Sequence, residues 1–94
     1  MLYVYFLSCK NGQVYTGSTA DLKRRIAEHE RGIVASTKRR LPILLLGYEA
    51  YRLKSDAIRR ERFLKTSEGK RLLKQQYRDV LAAIEQTRKG AGVV

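Results

Sequence analysis

The sequence predicts an α+β fold: a small three-stranded, mostly antiparallel sheet flanked by helices, in the order ββαβαα. Two runs rich in β-branched and aromatic residues flank Asn11-Gly12, the strongest short hairpin signal. A continuous apolar run follows Pro42. Further stretches place apolar residues at helical spacing.

Residues 1–7 form the first strand through Tyr3, Val4, Tyr5 and Phe6, and residues 13–17 the second. Ser18 or Thr19 is placed to cap the first helix, with Asp21 in its first turn, where negative charge suits the helix dipole. That helix is expected to run to about Arg31 and to stop at Gly32. A basic loop, residues 36–40, precedes Pro42, and residues 43–48 continue through Tyr51 as a buried third strand. Ser55 and Asp56 open a second helix that reaches Lys65 or Thr66. Residues 66–69 break it and cap another. The last helix carries Leu73, Tyr77, Val80, Leu81 and Ile84, the spacing of an amphipathic helix. Residues 1–88 then make a single domain, and 89–94 a flexible C-terminal tail.

The chain has 94 residues, enough for one small core. Its 20 Lys and Arg against 9 Asp and Glu leave a net charge of +11. Such an excess strains a small fold by self-repulsion and points to a polyanion, with nucleic acid as the leading partner. The lone Cys9 excludes an internal disulfide and a cysteine zinc site, and the lone His29 excludes any two-histidine metal motif. The longest apolar runs fall far short of the roughly 20 residues that span a bilayer. No signal-peptide pattern opens the chain. Because the cations are spread from Lys10 to Lys89, no single helix face would serve a membrane surface. The expectation is a cytoplasmic protein, associated with the nucleoid in a bacterium, with no membrane partner.

Polar residues fall where the helical period predicts core. Arg25 and His29 share the face of Leu22 and Ile26 in the first helix, aimed at the sheet. Glu61 falls between Ala57 and Leu64 on the inner face of the second. Buried charge is costly unless paired or bound to a metal. The plain explanation is that Arg25 and Glu61 neutralise each other, and that His29 is structural.

Tyr5 and Tyr15 lie on adjacent hairpin strands. A two-residue Asn11-Gly12 turn puts them on opposite faces, whereas a three-residue loop, Lys10 to Gly12, puts both on one face with Tyr5 opposite Gly17. In that register Gly17 leaves space above the sheet for a ligand.

Together these residues resemble the GIY-YIG nuclease family, and within it the small stand-alone bacterial proteins. The resemblance rests on Tyr3-Val4-Tyr5, on Tyr15-Thr16-Gly17-Ser18 ten residues later, and on Leu22, Arg25 and His29. The run from Ala57 to Lys65 is similar to the family's helix with its metal-binding glutamate, and residues 69–74 fit more loosely. Tyr3 and Thr16 depart from the namesake motif but leave both tyrosines in place.

The resemblance implies a metal-dependent endonuclease that hydrolyses DNA phosphodiester bonds with little sequence preference, in DNA repair or processing. By the same resemblance, Glu61 is the sole protein ligand of Mg²⁺ or Mn²⁺, and Arg25 steadies the phosphate as charge builds. Tyr5 activates or positions the attacking water, Tyr15 orients water or phosphate, and His29 orients a tyrosine or relays the proton. Glu49 is a weak candidate beside them, better read as half of a surface salt bridge. The basic residues Lys38, Arg39, Arg40, Arg59, Arg60 and Lys65 are expected to contact DNA phosphates. Branched or damaged DNA would suit such a role. Two rivals share these residues: a non-catalytic nucleic-acid-binding module, and a nuclease subunit whose protein partner sets its substrate.

Overall fold

The structure is a computed structural model that describes residues 1–90, with side chains described through Thr87. Three antiparallel strands, β1 (Leu2–Ser8), β2 (Val14–Thr19) and β3 (Leu44–Tyr51), form one sheet in the order β2-β1-β3. Helices α1 (Leu22–Glu30), α2 (Lys54–Leu64), α3 (Ser67–Gln76) and α4 (Arg78–Gly90) complete the chain. The α+β class holds, and the final predicted helix is divided at Tyr77.

The central strand organises two cores by its alternation. On one face Tyr5 and Leu7 pack with Cys9 and Ile43 against Leu22 and Ile26 of α1. On the other, Val4 and Phe6 pack with Ala57 and Leu64 of α2 and Leu73 of α3. Helices therefore cover both sides of the sheet, and β1 is buried from Val4 to Ser8.

The hairpin takes the three-residue loop. Tyr5 pairs with Gly17 and Ser8 with Val14. The Gly12 N–H donates to the Cys9 carbonyl at 3.0 Å, and the Cys9 N–H to the Gln13 carbonyl at 2.9 Å. Gly12 sits at φ +83°, a backbone region that glycine enters without strain. This register places Tyr5 and Tyr15 on one face.

Several boundaries differ from expectation. Asp21, not Ser18 or Thr19, caps α1: its Oδ1 accepts from the Arg24 N–H at 3.1 Å. Ser18 and Thr19 remain in β2, and Thr19 Oγ1 instead accepts from the Asp21 N–H at 3.1 Å. Helix α2 begins at Lys54 without a side-chain cap, and Asp56 lies in its first turn. Thr66 caps α3 as expected, accepting from the Gly69 N–H at 3.1 Å. Gly69, however, lies within α3. A Cβ there would meet the Phe63 carbonyl and the Leu64 Cα, so its bareness lets α3 start hard against the end of α2.

The third strand is an edge strand rather than a buried one. Leu44, Leu45 and Tyr48 are 50%, 40% and 52% exposed. With β1 in the middle, β3 has a neighbour on one side only, and a bulge at Leu46 shifts its register against β1. Helical hydrogen bonds from Tyr77 to Leu73 and from Leu81 to Tyr77 span the division between α3 and α4, so the amphipathic spacing runs on through it. Residues 89 and 90 of the expected tail lie in α4, and residues 91–94 lie outside the described residues.

Candidate active site

The inner face of α1 rests on the β1–β2 hairpin, and its polar members meet the two tyrosines there. His29 is fully buried. Its Nε2 lies 2.8 Å from the Tyr5 hydroxyl, and its Nδ1 lies 2.7 Å from Thr37 Oγ1. The Tyr15 ring is 5.3 Å from the His29 ring and 6.3 Å from the Tyr5 ring, centroid to centroid. The phenol of Tyr5 occupies the space above Gly17, where a Cβ would lie 2.5 Å from its oxygen. Gly17 therefore admits the tyrosine itself, and the expected room for a ligand is filled.

Thr37 reaches the imidazole because residues 34–40 fold into tight turns. Its N–H and that of Lys38 both donate to the buried Val34 carbonyl, and its own carbonyl accepts from the Arg40 N–H at 2.9 Å. This turns Thr37 inward and leaves Lys38 and Arg39 on the surface. Thr37 was masked in the sequence by the basic run that follows it.

Arg25 is half-buried and pairs with Glu28 at 3.0 Å, and its charge is also felt at the Tyr5 hydroxyl. Burial pushes the Tyr5 phenol above its ordinary pKa, with the guanidinium working against that shift. Burial likewise lowers the His29 pKa, and the Arg25 charge adds to the effect, so the imidazole is neutral at neutral pH. When the Tyr5 hydroxyl donates to Nε2, the ring proton lies on Nδ1 and is donated to Thr37 Oγ1.

Glu61 stands on the other side of the β2 edge. Its Oε1 accepts from Ser18 Oγ at 2.6 Å, and its Oε2 pairs with Lys65 Nζ at 2.7 Å. Burial alone would raise this carboxyl, but the Lys65 and Ser18 hydrogen bonds overcome it and hold the pKa below its ordinary value. Its charge is felt at Tyr5, whose pKa it helps to raise. The expected Arg25–Glu61 neutralisation is absent: each finds its own partners, Glu28 for one and Ser18 with Lys65 for the other. Ser18 entered the sequence reading only as a helix cap and as part of a motif.

Glu49 lies apart, held by Arg60 through two hydrogen bonds of 3.0 and 3.2 Å and by the Tyr51 hydroxyl at 2.6 Å. Burial and the adjacent carboxylate push Tyr51 up to about 12. Of the basic residues assigned to DNA, Arg59 is paired with Asp56, Arg60 with Glu49 and Lys65 with Glu61. Lys38, Arg39 and Arg40 form no ion pair among the described residues.

No cluster of three or more metal-ligating side chains occurs among the described residues. An ionised carboxylate that already draws a cation, Lys65, fits a metal that keeps most of its waters and takes one protein ligand. No helix among the described residues is long and apolar enough to cross a membrane.

Comparison with known proteins bears on this geometry. The model of the GIY-YIG catalytic domain matches residues 1–77. A UPF0213 protein of Staphylococcus saprophyticus is 40% identical over 73 residues, 77% of this chain and 89% of the relative. One from Halobacterium salinarum is 45% identical over 62 residues, 65% of this chain and 80% of that protein. The solution NMR structure of a UPF0213 protein from Bacillus halodurans superposes with a TM-score of 0.53 at 38% identity, covering 81% of this chain and 85% of that one.

Proposed function

The chain belongs to the GIY-YIG family, whose members are endonucleases, and on that footing we propose that it is a metal-dependent endonuclease. It hydrolyses DNA phosphodiester bonds with little sequence preference, in DNA repair or processing within the cytoplasm. The observation that carries this reading is the buried Tyr5 hydroxyl, 2.8 Å from His29 Nε2 and within the fields of Arg25 and Glu61. A phenol and a neutral imidazole joined in this way form a path for one proton.

The chemistry follows from these contacts. Tyr5 accepts the proton of the attacking water as its own proton passes to His29 Nε2. Neither group then has to cross the gap between a raised phenol pKa and a lowered imidazole pKa alone. Thr37 holds the ring so that Nε2 faces the phenol, and its Oγ1 accepts from the Nδ1–H of the imidazolium that forms. Arg25 stabilises the charge growing on the non-bridging oxygens, through an always-charged fork matched to phosphate. Tyr15 walls the site and orients what enters it. Glu61 would hold Mg²⁺ or Mn²⁺, which when bound supplies Lewis-acid stabilisation of the phosphate and the leaving oxygen.

The test is cleavage of supercoiled plasmid and of a labelled branched oligonucleotide, in Mg²⁺ and in EDTA. Cutting that requires the metal is the expected result. A folded protein that binds both DNAs and cuts neither contradicts the enzyme and selects a binding module. Cutting that appears only with cell extract selects a partner-dependent subunit.

A further inference from the structure

A cleft of about 390 Å³ opens beside the site, between β2, the start of α3 and the end of the basic loop. Its lining includes Tyr15, whose ring centroid lies 5.3 Å from that of His29, and Lys65, the cation paired with Glu61. Four cations line it, Arg40, Lys65, Lys70 and Lys74, with no acidic residue among the lining. Lys70 and Lys74 lie one turn apart on α3, where like charges oppose the helix. Neither forms an ion pair among the described residues. Val14, half-buried, adds apolar surface, and the core residue Leu73 lies beneath. Another hollow is different in character. The hollow beside Arg25 is lined by Asp21 and Glu28 as well as by Arg24 and Arg25.

Resting on the nuclease reading, we infer that this cleft holds the DNA strand flanking the scissile phosphate. Phosphates lie against Arg40, Lys70 and Lys74, and a deoxyribose edge lies against the half-buried Val14. The strand leaves the site toward α3, where the lining carries cations and no carboxylate, whereas Asp21 and Glu28 offset Arg24 and Arg25 in the other hollow. Contacts of this kind fix the position of the backbone and carry no sequence information.

The experiment is DNA binding by fluorescence anisotropy in EDTA, with a short fluorescein-labelled duplex titrated across a range of NaCl. The full chain is compared with Lys70→Gln/Lys74→Gln and with Lys23→Gln/Lys54→Gln, which removes the same charge outside the cleft. All four positions are exposed, so both variants keep the fold. Each phosphate contact contributes about 0.9 to the slope of log K against log salt. The cleft variant is expected to lose about 1.8 from that slope, and the control variant less than about half as much. Equal losses in the two variants, or an unchanged slope in the first, overturn the cleft while leaving metal-dependent cutting untouched. A full chain that binds no duplex at low salt overturns both the cleft and the nuclease reading.

Discussion

Thr37 Oγ1 lies 2.7 Å from Nδ1 of His29, and with the Tyr5 hydroxyl on Nε2 it fixes the orientation of the buried imidazole. Replacing Thr37 with valine keeps the shape and removes the acceptor. The buried Nδ1–H is then unsatisfied, at a cost of about 1–3 kcal/mol. Thr37→Val is expected to lower the melting temperature and to reduce kcat with little change in DNA affinity, and Thr37→Ser to restore both. Nicking kinetics beside thermal denaturation check this. Unchanged kcat in a folded Thr37→Val protein would remove Thr37 from the account.

Gly17 makes a second prediction. An added Cβ would lie 2.5 Å from the Tyr5 oxygen and 2.6 Å from its ring carbon, so Gly17→Ala displaces the phenol. Overpacking of this kind costs about 1–3 kcal/mol. The loss of nicking should exceed what the loss of stability explains, measured at a temperature where both proteins are folded. Full activity in the variant would show that Tyr5 need not sit where it does.

The pH dependence follows from His29. Its native pKa lies below the ordinary 6.5, through burial first and then the Arg25 charge. Below pH 6.5 the unfolded chain therefore binds a proton that the native chain does not. This contribution to stability is fully present above pH 6.5 and is lost as pH falls through the native pKa. Activity should persist on the acid side of 6.5 and fall once Nε2 is protonated. Urea midpoints and nicking rates across pH 4–8 test both, with that range set by ordinary carboxylate and imidazole titration, roughly 4 and 6.5. A loss of activity already complete at pH 7 would contradict the relay.

Much of this was legible in the sequence, and the exceptions have physical causes. The Asn11-Gly12 signal located the hairpin but left two registers open, because the turn residues suit either loop. The Cys9–Gln13 pairing and the positive φ of Gly12 decide between them. The apolar run of β3 reads as buried because hydropathy reports composition, whereas burial depends on which strand takes the centre of the sheet. The division at Tyr77 leaves no trace in the spacing, since hydrogen bonds of helical length span it. At the site, the period of α1 exposed Arg25 and His29 as misplaced polar groups. Their partners were invisible: Thr37 reaches His29 through loop turns, and Ser18 reaches Glu61 across 43 positions of sequence.

The most direct test of the central claim is nicking of supercoiled plasmid by the full chain and by Glu61→Gln, in Mg²⁺, with melting temperatures recorded for both. Glutamine keeps the size of the side chain and a carbonyl for Ser18, but removes the charge that would hold the metal. An intact fold and a rate lowered by at least about a hundredfold are expected, the scale of a few kcal/mol of lost metal stabilisation. Metal-dependent nicking by a folded Glu61→Gln protein at the full rate would contradict that claim.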